Sequence, residues 1–504
     1  MNRIISIRQD LFKSKYTVWS IVLLVALLPR IFRILYPYAW FEDTAYLYHS
    51  FAYKSGLKPF LHTITVHPPA IEYLLAFFYN VFGVSYRVAE IFTGIVISIS
   101  ALLLFDCTRR IFNEFIALIV IICFSFSSLL FRYHIFEREV FTLFLSISVF
   151  WLIIRMPKNF YNGLLPGLIS GLGLGIKFSG LFIFFSMLGY FLYQRNLRAV
   201  FFSLLGFVIT TGLTWGYFLS AYKPHSYYQL ILFHFYKGCG GPVVLRFLDT
   251  FVRDLNFLWI LGGSGLILSL FISNRFLVYP IILFTLYTIF FLFISSTYWP
   301  HNMIDLLFPL SLANGIGLYY LYNFFKQPEK NIIPLIFISI SGIIFISLGS
   351  ANPRYYKGLG YIKRNEFKQV IDFIQNHTPD KIPIYAPHYI ANESERFKVV
   401  DYEELIGPYF MMLKIIENKL EKKDLYKKLN WYELVEETLP LWRYDLNEMI
   451  KQRKVSCVVW DRISPEWSLM YNIDTLLENK HSFFYNAGYR IRYISSNYTV
   501  WLLE

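Results

Sequence analysis

The stretch HPPAIEYLLAFFYNVFGVSYRVAEIFTG, residues 67–94, decides how the chain is organised. Its Pro-Pro pair ends the segment before it, because proline fixes φ and lacks a backbone N–H. The run AIEYLLAFFYNVF, residues 70–82, is apolar along one face, which predicts a helix lying in the plane of a membrane interface. A glycine follows this helix, and a long apolar run starts directly after it. The stretch therefore predicts an interfacial helix leading into a membrane span.

The composition of the whole chain agrees with this prediction. Hydrophobic residues make up 56% of the 504 positions and charged residues only 16%, whereas soluble domains carry roughly 25% charged residues. A bilayer core needs about 20 apolar residues per helix, and the first 350 residues contain about eleven such runs. We predict a polytopic α-helical membrane domain over 1–350, with a long first outer loop at 37–83. The predicted spans are 17–36, 84–105, 113–131, 139–155, 162–176, 178–193, 199–219, 252–273, 276–296, 302–323 and 331–349.

Basic residues in the short loops orient these spans, since Lys and Arg resist translocation. The N-terminal segment carries Arg3, Arg8, Lys13 and Lys15, which predicts a cytoplasmic N-terminus and an uncleaved first helix in the plasma membrane. The segments predicted outside are basic too, as a bound anion would require. The formal net charge of +13 lies in the membrane half, because residues 351–504 hold 22 of the 47 Lys and Arg and 21 of the 34 Asp and Glu. No basic soluble module is evident, so we expect no nucleic-acid partner.

The last 150 or so residues have a different pattern. Short apolar strands such as 382–386 and 455–460 alternate with charged amphipathic helices such as 403–428. This predicts a soluble α/β domain over 351–504, which an odd number of spans would leave outside the cell. The four cysteines stand apart from one another, and no metal or redox site is predicted from them.

Charged groups near membrane depth are candidates for function, because each costs about 2.5–3.5 kcal/mol even on lenient insertion scales. In the predicted topology they gather at the outer face, where a carboxylate could activate a hydroxyl and cations could hold a phosphate. Each also has an ordinary structural explanation, as a solvated loop residue, a helix first-turn charge, an interfacial lysine or a capping histidine. The candidates are Glu42, Asp43, Arg132, Glu137, Glu139, Lys177, His301 and Asp305.

Five motifs follow one another along the chain. They are FEDTAYLYHSFAYKSG (41–56), the His-Pro-Pro and Phe-Gly pattern of residues 67–83, RYHIFEREVFTLF (132–144), GLGLGIKFSGLFI (171–183) and PHNMIDLLFPLSLANGIG (300–317). Together they resemble the membrane glycosyltransferases of the type C fold, especially the protein O-mannosyltransferase and lipid A aminoarabinose transferase branch. The chain departs from the family at His301-Asn302-Met303, where Arg-Tyr is common, at Asp305, and at Glu90, where an arginine is common.

The resemblance implies an inverting transfer of a monosaccharide from a polyprenyl-phosphate donor, dolichyl or undecaprenyl, to an acceptor hydroxyl at the outer membrane face. It implies that Asp43 or Glu42 is the catalytic base and that Glu137 orients the acceptor or shares that role. Protein, lipid and glycan acceptors all remain open, and neither a cofactor nor a metal is predicted. The implied phosphate-binding residues are Lys177, Arg132, His301 and His67, with Glu139, Asp305 and Asn302 as further candidates.

Two other classes of protein remain open at this point. A transporter or lipid flippase would line a path with its intramembrane charges, but it would tend to show internal repeats and broken helices at mid-membrane. A membrane scaffold would use its outer domain to bind a partner, which leaves the shared outward location of the charges unexplained.

Overall fold

The structure is a computed structural model, and it divides by internal contacts into two compact units. The helical unit comprises Met1–Tyr36, Glu90–Tyr217 and Gly241–Asn352, and the mixed unit comprises Pro37–Ala89, Phe218–Gly240 and Pro353–Glu504. Within these bounds the structure describes residues 15–35, 41–61, 63, 65–127, 129–130, 136–155, 163–223, 225–232, 274–294, 300–324, 364–380, 382–397, 452–461, 484–495 and 498–504.

Helices dominate the described part of the chain, and strands occur only near its C-terminal end. A π-helical segment, Gly212–Gly216, continues the helix that begins at Leu197 as far as Ala221, and a 3-10 helix, Pro300–Leu306, precedes the helix that begins at Leu307. The elements are α1 Lys15–Leu35, α2 Phe41–Lys54, α3 Ala70–Phe82, α4 Tyr86–Ile111, α5 Glu114–Ser125, α6 Arg138–Arg155, α7 Leu164–Ile176, α8 Gly180–Tyr193, α9 Leu197–Thr211, α10 Val278–Ile289, α11 Leu307–Phe324, α12 Arg364–His377, α13 His388–Glu393, β1 Cys457–Asp461, β2 Tyr489–Ile494 and β3 Tyr498–Leu503.

Three helices among the described residues are long and apolar enough to cross a membrane: Tyr86–Ile111, Leu197–Ala221 and Arg275–Leu292. The predicted count of about eleven spans is therefore not confirmed, and the predicted spans 252–273 and 331–349 lie outside the described residues. Helices α7 and α8 have 13 and 14 residues, fewer than the roughly 20 that a bilayer core requires. The two predicted spans at 162–176 and 178–193 are thus short helices on either side of a turn.

Close backbone packing joins α7 to α9. A Cβ added at Gly167 would lie 2.3 Å from the carbonyl oxygen of Ser203, and one added at Gly206 would lie 2.4 Å from that of Leu164. Such spacings exclude any side chain, and small residues at helix interfaces allow this approach in membranes. Gly167 and its neighbours one helical turn away, Gly163 and Gly171, therefore serve helix packing. Of these three, only Gly171 belongs to the glycine-rich motif 171–183 found in the sequence.

Buried polar and aromatic contacts hold other helices of the helical unit together. The buried Arg30 of α1 donates hydrogen bonds to the carbonyl oxygens of Ser125, 2.8 Å away, and Leu130, 2.7 Å away. A guanidinium is favourable here because Ser125 ends α5, where carbonyl groups lack helical partners. Phe150 of α6 packs on Phe308 of α11 with ring centroids 5.0 Å apart.

The mixed unit contains a helix where the sequence predicts one. Helix α3 spans Ala70–Phe82 and ends at Gly83, whose φ of 84° suits glycine. The predicted bounds 70–82 are therefore confirmed, and the location of this helix at a membrane interface stays a prediction. Residues 41–54 belong to the predicted first outer loop, and they form a second helix, α2, which was not identified from the sequence. The local pattern permits this helix, since apolar side chains such as Leu47 and Phe51 recur at helical spacing and are buried. Tyr53 of α2 stacks on Tyr73 of α3 with centroids 5.0 Å apart.

A three-stranded antiparallel sheet of order β1-β3-β2 lies in the C-terminal part of the mixed unit. Strand β1 overlaps the predicted strand at 455–460. Within the described residues the predicted strand at 382–386 forms isolated bridges at Ile384 and Tyr385, and the bridge of Tyr385 is to Val458. Tyr385, Val458, Phe484 and Trp501 form the hydrophobic core beside the sheet. The predicted helix 403–428 lies outside the described residues, and the soluble α/β domain with its boundary at 350 stays a prediction.

Candidate functional site

A tight turn between α7 and α8 carries Lys177. The Lys177 backbone N–H donates to the Gly173 carbonyl at 3.0 Å, and the Gly180 N–H donates to the Lys177 carbonyl at 2.9 Å. A Cβ at Gly180 would lie 2.0 Å from the carbonyl carbon of Gly173. Only glycine permits this approach, and the sequence Gly-Ile-Lys-Phe-Ser-Gly therefore fixes where the lysine emerges.

The Lys177 ammonium lies between two side chains from distant parts of the sequence. Its Nζ forms an ion pair with Oε1 of Glu139, in the first turn of α6, and donates to Oδ1 of Asn302 at 2.8 Å. The side chains of Lys177 and Glu139 are only 14% and 2% exposed. A charge-assisted contact in such surroundings is much less screened than one at the surface.

A second carboxylate, Asp305, lies in the same helical unit and is buried. Its Oδ2 accepts a hydrogen bond from Oγ of Ser179 at 3.1 Å, and its Oδ1 accepts one from Oγ1 of Thr142. The Tyr287 hydroxyl donates to the Ser179 carbonyl at 3.3 Å. A buried acid among apolar helices needs polar partners, and hydroxyl groups are the hydrogen-bond partners of Asp305. We call Lys177, Glu139, Asn302, Asp305 and Ser179 the Lys177 cluster.

Glu137, Arg132 and His301 are the other predicted residues that belong to the helical unit by sequence range. Glu137 directly precedes α6 and is buried, and its carbonyl accepts the Val140 N–H at 3.1 Å. Arg132 lies outside the described residues. The backbone of His301 is part of the 3-10 helix Pro300–Leu306, and its side chain is outside the described part. The structure therefore brings four predicted residues together: Glu139, Lys177, Asn302 and Asp305.

The remaining predicted residues belong to the mixed unit. Glu42 and Asp43 lie in the first turn of α2, and their side chains are outside the described part. His67 is half-buried just before the Pro-Pro pair, and its carbonyl accepts a hydrogen bond from Oγ1 of Thr65 at 2.9 Å.

The sequence reasoning missed the hydroxyl partners Thr142, Ser179 and Tyr287. Two of them carried a local signal, since Ser179 follows Lys177 by two residues and Thr142 lies three residues after Glu139, on the same helix face. Hydroxyl residues are common in apolar helices, where most bond to their own helix backbone. Local spacing therefore could not separate these two from the rest.

A half-buried acid in the mixed unit was also missed. Glu393, at the end of α13, accepts hydrogen bonds from the backbone N–H of Tyr86, at the start of α4, and from Nδ2 of Asn392, 3.2 Å away. Burial raises the pKa of Glu393 to about 7, and the two hydrogen bonds act in the opposite direction. This carboxyl titrates near neutral pH.

Metal binding receives no support in the ranges that the structure describes, where no group of three or more His, Cys, Asp or Glu side chains converges. The Lys177 cluster contains one ammonium and two carboxylates, Glu139 and Asp305. An ammonium has three N–H donors, and Glu139 and Asn302 accept two of them.

Comparison with known proteins agrees with the motifs. A profile of the family described as dolichyl-phosphate-mannose-protein mannosyltransferase matches residues 66–215, a range that contains the His-Pro-Pro motif, Glu139 and Lys177. No curated protein sequence matches the chain significantly.

Solved structures share the fold at low sequence identity. ArnT from Cupriavidus metallidurans bound to undecaprenyl phosphate has a TM-score of 0.62 at 11% identity, covering 96% of this chain and 97% of its own. Its apo state has a TM-score of 0.61 at 12% identity, with coverages of 97% and 98%. The oligosaccharyltransferase AglB from Archaeoglobus fulgidus, in complex with an inhibitory peptide and a dolichol-phosphate, has a TM-score of 0.51 at 11% identity, with coverages of 98% and 75%. The resemblance to membrane glycosyltransferases of the type C fold is confirmed.

Proposed function

We propose that this integral membrane protein transfers a monosaccharide from a polyprenyl-phosphate donor to an acceptor hydroxyl at the outer membrane face. Two proteins of the same fold support this class of donor, since the ArnT structure contains undecaprenyl phosphate and the AglB structure a dolichol-phosphate. The family profile points to a dolichyl-phosphate sugar in the same way. A donor with a long lipid tail also explains why the enzyme is embedded in the membrane.

The buried ammonium of Lys177 is the observation that carries the proposal. Glu139 and Asn302 fix its position and accept two of its N–H groups. The third N–H can donate to a phosphate oxygen of the donor. Glu139 balances the lysine charge before the donor arrives, and Asp305 holds Ser179 and with it the turn that carries Lys177.

The proposed reaction is a single displacement at the anomeric carbon. The acceptor oxygen forms a bond to this carbon while the bond from the carbon to the phosphate oxygen breaks, and its electron pair leaves on polyprenyl phosphate. Lys177 stabilises the charge that grows on the leaving phosphate. Arg132, His301 and His67 share this phosphate-binding role, and inversion at the anomeric carbon follows from the single displacement.

A carboxylate takes the proton from the attacking hydroxyl. We assign this role to Asp43 or Glu42, and Glu137 orients the acceptor or shares the role of base. Removing a positioned general base lowers the rate by about 10²- to 10⁴-fold. The acceptor can be a protein, a lipid or a glycan.

The test measures release of polyprenyl phosphate from radiolabelled undecaprenyl- and dolichyl-phosphate sugars by the purified chain. Asp43→Asn and Glu137→Gln should lower the rate by at least about 100-fold, and Lys177→Ala should lower it as well. Glu395→Gln is the matched control, because this carboxylate is 47% exposed on the surface of the mixed unit and should keep the wild-type rate.

Two outcomes would contradict the proposal in different ways. Wild-type rates of transfer in both Asp43→Asn and Glu137→Gln would show that the catalytic assignment is wrong. Movement of a lipid between leaflets without consumption of any lipid-phosphate sugar would instead identify a flippase.

A further inference from the structure

Three arginines of the helical unit converge on one carboxylate, far along the sequence from the Lys177 turn. Asp106 of α4 accepts hydrogen bonds from Nε of Arg109 at 2.9 Å, Nε of Arg110 at 3.3 Å and Nε of Arg155 at 2.7 Å. The indole N–H of Trp151 also donates to it, at 3.0 Å. We call these five residues the Asp106 cluster.

The charges of the Asp106 cluster do not balance. One carboxylate, only 2% exposed, faces three guanidinium groups, so the cluster carries an excess of two positive charges. The side chains of Arg110 and Arg155 are 40% and 38% exposed. Each uses only its Nε towards Asp106, one of the five N–H donors of a guanidinium. The cluster is therefore a fixed set of donors for an anion.

Aromatic side chains indicate that the cluster lies at the level of a membrane interface. The guanidinium of Arg109 lies over the ring of Trp19, 5.1 Å from its centroid, and that of Arg155 lies 5.7 Å from the centroid of Trp151. Tryptophan is enriched at membrane interfaces. The cluster is formed by the C-terminal ends of α4 and α6, with Trp19 near the start of α1, and the predicted topology assigns all three helix ends to the cytoplasmic side.

We propose that the Asp106 cluster binds the phosphodiester headgroup of an anionic phospholipid in the inner leaflet. Asp106 holds the arginines of two helices in one position, and the headgroup phosphate neutralises one of the two excess positive charges. Basic pockets between membrane helices on the cytoplasmic side recognise anionic headgroups in this way. Guanidinium groups suit a phosphate because their planar N–H donors match two phosphate oxygens. This site is separate from the donor site proposed above and does not depend on it.

The test follows thermal unfolding of the full chain in an uncharged detergent by tryptophan fluorescence, with increasing phosphatidylglycerol in the micelles. Phosphatidylglycerol should raise the unfolding midpoint, whereas phosphatidylcholine and inorganic phosphate should not. Arg110→Gln should raise the half-effective phosphatidylglycerol fraction about five-fold, and Arg110→Gln with Arg155→Gln should raise it further. Arg275→Gln, an exposed arginine at another predicted cytoplasmic loop, should respond as the wild type does.

Native mass spectrometry gives a second readout that does not depend on unfolding. The wild type should retain one more phosphatidylglycerol than Arg110→Gln does. Arg110 is suited to this comparison because it is the most exposed of the three arginines and has the longest Nε contact with Asp106, so its loss should leave the other contacts intact. Equal lipid responses in wild type and Arg110→Gln would overturn the proposal. An equal shift with inorganic phosphate would overturn it too, in favour of a free anion.

Discussion

The ion pair between Lys177 and Glu139 gives the sharpest test of the helical unit. Lys177→Met leaves the Glu139 carboxylate, 2% exposed, without its cation. Breaking a buried pair from one side costs about 3–5 kcal/mol. Glu139→Gln should cost less, about 1–3 kcal/mol, because Lys177 keeps its 2.8 Å bond to Asn302 and is itself 14% exposed.

The double variant Lys177→Met/Glu139→Gln should lie within about 1 kcal/mol of the wild type in stability, because uncharged groups of similar volume can replace a buried pair at little cost. The two single changes together amount to about 4–8 kcal/mol, so the coupling energy should be about 3 kcal/mol or more. Few surface pairs reach such a value. The size of the coupling therefore reports burial of the pair.

The assay is unfolding by sodium dodecyl sulfate in mixed micelles, monitored by tryptophan fluorescence, for all four members of the cycle. A matched cycle on Lys54 and Glu395 is the control, since this pair is 3.7 Å apart with side chains 24% and 47% exposed. Its coupling should be about 0–1 kcal/mol. If the Lys177 and Glu139 changes simply add, or each costs under about 1 kcal/mol, the ion pair is not buried and the reasoning is refuted.

Three further changes should have defined effects. Gly167→Ala should destabilise the protein by about 1–3 kcal/mol in the same assay, because the added Cβ would lie 2.3 Å from the carbonyl oxygen of Ser203. Gly212→Ala is the control and should not destabilise it, because a Cβ there has nothing within 4 Å. Similar losses of stability for both variants would contradict the close helix contact. Asp305→Leu should cost about 1–3 kcal/mol, because it leaves the Ser179 hydroxyl without its acceptor, whereas Thr142 can still donate to the Glu139 carbonyl 3.1 Å away. Asp305→Asn should cost less, since its Oδ1 still accepts. The pKa of Glu393 is about 7 in the folded state against 4.5 for an exposed glutamate in the unfolded chain. Between these two pH values the folded state keeps the carboxyl proton that the unfolded state loses. The protein should therefore unfold at lower denaturant as the pH rises from 4.5 to 7. Glu393→Gln should flatten this part of the pH profile, and an unchanged slope would rule out Glu393 as the titrating group.

A helix whose ends are marked by proline and glycine was predicted well from the sequence. The helix at 70–82 appears with the same bounds, because a Pro-Pro pair precedes it and Gly83 follows it. Helix α2 was not predicted from the sequence, because Glu42 and Asp43 belong to a motif that resembles an acidic loop segment of the family. No proline or glycine lies directly before the first residue of this helix. Its apolar side chains recur at helical spacing, but they acquire their burial by packing on α3.

The sequence by itself determined that the chain is a membrane protein, that Lys177 lies in a turn between two short apolar segments, and that acids are present at membrane depth. Each of these depends on composition or on neighbours within one or two helical turns. Only the tertiary structure decided which charges meet. Lys177 lies 38 residues from Glu139 and 125 from Asn302, and Asp305 lies 163 residues from Thr142. Local patterns carry no information about such pairings, because they arise when helices pack and their buried polar groups must find partners.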